Sequence, residues 1–206
     1  MLNTLAEYCT NWLTKNTSLP EDEKPIYVYG FELLFSTLSS FFSILVIAFC
    51  IKRIIYAVCF FIFFYILRLF CGGYHAKTYT KCFLITNLSF LLITVLSELI
   101  IIFDILYLLP IIIPVSKVII FFFSPIVNEN HPCSAKSIKR NKIISIIISL
   151  IFELMLIMLY ISKKGVHITV NGSLSFFWAA LMVLYEKIKQ KGDFFKQSPF
   201  KHRKLP

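Results

Sequence analysis

The sequence predicts an all-α, polytopic membrane protein of about six transmembrane helices, with an N-terminal cytoplasmic segment. Three observations carry that prediction. Of 206 residues, 58% are hydrophobic and only 16% charged, whereas soluble domains average about 45–50% and about 25%. Long apolar runs recur along the whole chain, and about 20 helical residues cross about 30 Å of hydrocarbon. Alternate connections between those runs also differ sharply in basic charge. In hydrocarbon every backbone polar group must be paired within its own segment, so the runs are expected to be helices. The expected organisation is a cytoplasmic or interfacial segment over residues 1–26, a six-span membrane domain over 27–186 and a basic cytoplasmic tail over 187–206.

Residues 1–25 are polar and contain Pro20 and the acidic cluster Glu21-Asp22-Glu23. No cleavable signal peptide is expected, so the first span directs insertion. Within this segment "LAEYCTNWL" places Leu5, Tyr8, Trp12 and Leu13 on one helical face, the pattern of a short interfacial helix; a disordered terminus is the alternative. The first span is expected over Tyr29–Ile51, with Glu32 inside it, where an ionised carboxylate is costly and tends to be functional. The second, Ile54–Phe70, is short and carries Arg68 in its last turn. The third and fourth, Phe83–Phe103 and Ile105–Val127, are parted by a weak break at Asp104, and Pro110 and Pro114 are expected to kink the fourth. The fifth and sixth follow over Ile143–Ile161 and Thr169–Tyr185.

Charge orients the spans. The N-terminus, the 68–82 and 128–142 loops and the C-terminus share one side and hold 16 of the 21 Lys and Arg residues. Lys52, Arg53, Lys163 and Lys164 lie on the other side, and Lys117 falls within a span. The basic side is expected in the cytoplasm. Topology and anionic lipid account for the net charge of +10, with no need for a nucleic-acid partner. The six cysteines show no CxxC pair, and thiols are expected.

Between the second and third spans lies "RLFCGGYHAKTYTKC", Arg68 to Cys82. A thiol attacks a carbonyl as its thiolate, and a neighbouring imidazole is the usual means of making one near neutral pH. His75 and Cys82 supply that pair. Arg68 and the N–H groups of the glycine turn add positive field and oxyanion donors. On one unbroken helix the two side chains would stand about 10.5 Å apart along the axis. The chain must therefore bend between them, or His75 must stand on a loop folded back over the helix start. Gly72 and Gly73 supply the freedom, and Thr78 and Thr80 weaken the intervening helix. A solvated loop histidine beside a small apolar cysteine is the bland reading. A zinc site built from Cys71, His75, Cys82, His131 and Cys133 is a third reading, although no pair has a standard ligand spacing. Neither a metal nor another cofactor is expected.

The pattern Arg-x-x-x-Gly-Gly-Tyr-His-Ala-x-Thr-x-x-x-Cys resembles the signature of the accessory gene regulator B (AgrB) family, membrane endopeptidases that process quorum-sensing propeptides in Gram-positive bacteria. "YVYGFELL", Tyr27 to Leu34, is similar to that family's approach to its first span, and "SPIVNENHP", Ser124 to Pro132, to its proline-containing segment before a basic loop. Thr86 departs from the pattern, which has a serine four residues after the cysteine. The resemblance implies Cys82 as nucleophile, His75 as its base, and Arg68 and Gly73 as supporting positions. It also implies a propeptide substrate whose acidic tail is released before an internal Cys or Ser closes a thiolactone or lactone ring, and a homodimeric assembly. Glu32 is expected to pair with Arg68 or Lys117, or to orient His75. Lys136, Lys139 and Arg140 of "KSIKRNK" are candidates for binding the acidic tail. A non-catalytic peptide exporter and a metal-binding membrane sensor are the alternative functions.

Overall fold

A computed structural model describes residues 2–16, 24–72, 78–126 and 135–197. The described chain is helical, with no strand among the described residues. In order come α1 (Leu2–Asn16), α2 (Lys24–Cys50), α3 (Ile54–Phe60), a π-helical stretch (Phe61–Tyr65), α4 (Ile66–Cys71), α5 (Tyr79–Ile102), a 3₁₀ turn (Leu106–Leu108), α6 (Leu109–Phe123), α7 (Ala135–Ser162) and α8 (Val166–Gln197). Among the described residues, six stretches are long and apolar enough to cross a membrane: Lys24–Cys50, Ile54–Cys71, Tyr79–Ile102, Leu106–Phe123, Ala135–Ser162 and Val166–Lys191. The chain is thus a multi-pass membrane protein, as its composition predicts.

Three short connections join α2 to α3, α5 to the 3₁₀ turn and α7 to α8. Each turns on a residue with positive φ: Lys52 (58°), Asp104 (53°) and Lys163 (53°). After α2, the Arg53 N–H reaches the Ala48 carbonyl at 2.8 Å and the Lys52 N–H reaches Phe49 at 3.1 Å. After α5, Ile105 bonds Ile100 at 3.0 Å and Asp104 bonds Ile101 at 3.3 Å. This paired pattern satisfies the last carbonyls of a helix and usually has glycine at the left-handed position. With lysine and aspartate there, the sequence carries only a faint stop signal. Pro110 does not interrupt α6. It sits in the first turn of α6, where its missing N–H costs nothing, while Pro114 lies inside the helix.

The described residues group into two compact units, Met1–Ile54 with His75–Leu92, and Ile55–Tyr74 with Ile93–Pro206. In the first unit α1 packs on α2. The segment expected to be interfacial or disordered is this helix. Ala6 and Thr10 are buried, and Leu5, Tyr8 and Trp12 point outward with more than half their surface exposed. Along α2, Ser36, Ser40, Ile44 and Ala48 form a buried stripe at four-residue spacing. Small residues on such a stripe let helices approach closely where hydrophobic burial gives little drive.

In the second unit α8 packs against α6, α7 and the π-helical stretch. It is the least apolar of the six spans and the most buried. Its buried face includes Asn171, Ser173 and Ser175, all fully inaccessible, and Asn171 Nδ2 donates to Ser97 Oγ at 3.0 Å. Polar groups that are costly towards lipid find partners inside the bundle. Gly172 admits the aromatic core formed by Phe63 and Phe152, whose ring centroids lie 4.8 Å apart. A Cβ at Gly172 would sit 2.8 Å from the Phe63 ring and 3.0 Å from Leu156. Gly172→Val is therefore expected to destabilise the protein by about 1–3 kcal/mol through overpacking. Gly30→Ala in α2, where a Cβ meets nothing within 4 Å, is expected to change stability in the opposite direction, by about 0.5–1 kcal/mol. Thermal unfolding of both variants in detergent checks the opposed signs.

Candidate functional site

In the first unit, Cys82 is set by the way α5 begins. Thr78 is the N-cap residue. Its Oγ1 accepts the Lys81 N–H at 3.3 Å, and its carbonyl accepts the Cys82 N–H at 3.0 Å, closing the first helical turn as a capping threonine does. Cys82 thus lies on the opening turn of α5, where the positive end of the helix favours negative charge. The sulfur is half-buried. Thr86, four residues on, is buried and donates its hydroxyl to the Cys82 carbonyl at 2.8 Å. This is a backbone role that serine would fill equally well.

Glu32 of α2 completes this neighbourhood. Its carboxylate accepts hydrogen bonds from Tyr79 Oη at 2.9 Å and from Asn3 Nδ2 at 3.0 Å. One carboxylate therefore joins α1, α2 and α5. The Tyr29 phenol, one helical turn before Glu32, lies within electrostatic range of both Glu32 and Cys82. The expectation of a Glu32–Lys117 pair is corrected. Lys117 Nζ lies 2.6 Å from Glu153 Oε2, an intramembrane ion pair that joins α6 to α7 and spares both charges an unpaired burial.

In the second unit, Arg68 lies in α4 with its guanidinium 5.7 Å from the Phe64 ring centroid, a cation–π distance. Its carbonyl accepts the Gly72 N–H at 3.2 Å. Gly72 ends α4 at φ 69° and ψ −142°, a conformation open to glycine alone. There the Cys71 carbonyl accepts the Ile126 N–H at 2.9 Å, and a Cβ on Gly72 would stand 2.5 Å from the Ile126 carbonyl oxygen. Two constraints thus demand glycine where the chain leaves α4 for the motif's loop. Lys142 Nζ binds the carbonyl of Ser124 at 2.6 Å and that of Phe121, capping the C-terminus of α6, and Ser124 Oγ donates to Ser145 Oγ at 2.9 Å.

Several sequence expectations meet this geometry unevenly. Gly73 and His75 lie outside the described residues, as do His131 and Cys133. Arg68 and Cys82 fall in different units, each with the neighbours given above. Among the described residues, no group of three or more His, Cys, Asp or Glu could hold a metal ion, and the described cysteines form no disulfide. Lys136, Lys139 and Arg140 do not sit on a loop as expected. They stand exposed on the opening turns of α7, at spacings that put them on one face. Sequence reasoning missed Tyr79, Asn3 and Tyr29. Only Thr78, a favoured capping residue beside a helix start, left a local signal.

A family model described as accessory gene regulator B matches residues 6–184 of the chain. No curated protein and no solved structure matches it.

Proposed function

Because the chain belongs to the accessory gene regulator B family, whose membership supports a role in autoinducer processing, we propose that it is a membrane cysteine endopeptidase that cuts a quorum-sensing propeptide and closes its ring. Cys82 is the nucleophile and His75 the base. His75 takes the thiol proton, the sulfur attacks the carbonyl at the processing point, and the proton passes to the departing amine of the acidic tail. The result is a thioester on Cys82. A Cys or Ser side chain within the substrate then attacks that thioester. It gives up its own proton, regenerates the Cys82 thiol and leaves a thiolactone or lactone. Exchange of one thioester for another loses little free energy, and a site at the membrane edge limits the water that would hydrolyse the intermediate.

The observation that carries the reading is the position of Cys82. It stands on the first turn of a helix capped at Thr78, so the helix stops before the segment that holds His75. An unbroken helix would keep the two groups apart; this one ends between them. The basic face of Lys136, Lys139 and Arg140 is the proposed seat of the acidic tail, and a homodimer in the bilayer is the proposed assembly. Purified protein in lipid vesicles, given a synthetic propeptide, should yield the free tail and a cyclic product in equal amounts; an uncut propeptide, or a linear product alone, would contradict the reading.

Both termini and the 68–82 and 128–142 segments are proposed to face the cytoplasm, on the charge asymmetry of the connections. A single cysteine at Lys139 should then resist impermeant thiol reagents in intact cells and react once the membrane is opened. Labelling in intact cells would reverse the topology.

A further inference from the structure

Glu32 ties three helices together. It sits in α2 and accepts one hydrogen bond from α1, through Asn3, and one from α5, through Tyr79. Tyr79 is the first residue of α5 and stands three positions before Cys82, so the two side chains lie on the same face of the opening turn. That turn is the part of a helix most prone to fray, because its first N–H groups have no partner within the helix. Thr78 caps it from one side. The Tyr79–Glu32 bond fastens it from the other.

We propose that Tyr79 is a positioning residue for the nucleophile: by donating its phenol to Glu32 it fixes the first turn of α5 on α2, and so fixes where the Cys82 sulfur points. This inference rests on the proposal that Cys82 is the nucleophile. In this role Tyr79 acts through Glu32, which accepts its phenol. A hydrogen bond to a carboxylate is stronger than one between neutral groups, which suits a contact that helps the Thr78 cap hold a helix start. Tyr29, on the same stretch of α2, lies within electrostatic range of Cys82. The chemistry also explains why a carboxylate is kept in an otherwise apolar helix. Paired with two donors from neighbouring helices it is satisfied, whereas an unpartnered one would be costly.

Tyr79→Phe removes one hydroxyl and little else. The expected result is a fall in kcat for tail release of about 10- to 100-fold, the scale set by small misplacements of a reacting group, with KM for the propeptide unchanged. In a Glu32→Ala background, Tyr79→Phe should have no further effect on kcat, since the two residues act as one unit. Wild-type kcat in Tyr79→Phe would overturn the assignment. So would an equal loss from Tyr79→Phe with Glu32 present and with it replaced, or a change confined to KM. If Glu32→Ala fails to reach the membrane, the split between kcat and KM in Tyr79→Phe alone decides. Cys82→Ala is run alongside. Processing by that variant would remove the peptidase reading itself, whereas an inactive Cys82→Ala beside a fully active Tyr79→Phe overturns the positioning role alone.

Discussion

Cys82→Ala is expected to reach the membrane at the normal level and to release no tail. The side chain is small and half-buried on the first turn of α5, and alanine is a better helix former than cysteine, so little structural loss follows from the change. The chemical loss is expected to be complete, because the proposed acyl group forms on the Cys82 sulfur. Quantifying released tail against the amount of membrane-inserted protein makes the comparison. A non-catalytic exporter needs no thiol at this position, so normal cyclic product from Cys82→Ala would favour that alternative function.

His75→Ala is expected to slow the first chemical step by about 10²- to 10⁴-fold, the usual worth of a positioned general base. Binding of the propeptide should hardly change. The sign of the pH dependence follows from the role. A base must be unprotonated to accept the thiol proton, and an imidazole in water titrates at about 6.5. Wild-type acylation should therefore rise as pH climbs through that region, and the rise should vanish in His75→Ala. Single-turnover tail release over a pH series measures both. An unaltered rate and profile in His75→Ala would turn the search for the activator towards Glu32.

The six spans were legible because lipid imposes a simple rule on composition. Their ends were less so. α5 begins at Tyr79 although its first residues, Tyr79 to Cys82, are not a strongly apolar run, because Thr78 caps the helix before the bilayer requires one. α7 begins at Ala135, well before the apolar stretch at Ile143, since its basic first turns form a helix in water as readily as a loop. α8 combines the lowest hydropathy with the deepest burial, an arrangement that window averages hide because its polar residues face protein. The π-helical stretch at Phe61–Tyr65 has no sequence signature at all.

The site divides in the same way. Cys82 and His75 stand out through residue type and a local pattern; the cap at Thr78 shows where the helix that carries Cys82 begins, and His75 lies outside the described residues. Glu32 stands out through the cost of a carboxylate in a span, but its partners do not. Asn3 is 29 residues away and Tyr79 is 47, and such pairings arise only from helix packing. Lys117 shows the converse: its charge was evident, yet its partner, Glu153, lies on α7. Gly72 was read as a flexible joint. Its positive φ and its contact with Ile126 make it a fixed corner, where any side chain would collide with backbone.

The central claim is that a covalent acyl group forms on Cys82. Wild-type protein in vesicles is mixed with a propeptide whose ring-closing Cys or Ser is replaced by Ala, so that attack proceeds and resolution does not. Intact-protein mass spectrometry followed by peptide mapping should show the propeptide body, without its tail, attached to Cys82 through a bond cleaved by hydroxylamine. Tail released with no adduct at any time, or an adduct on another residue, would contradict the account.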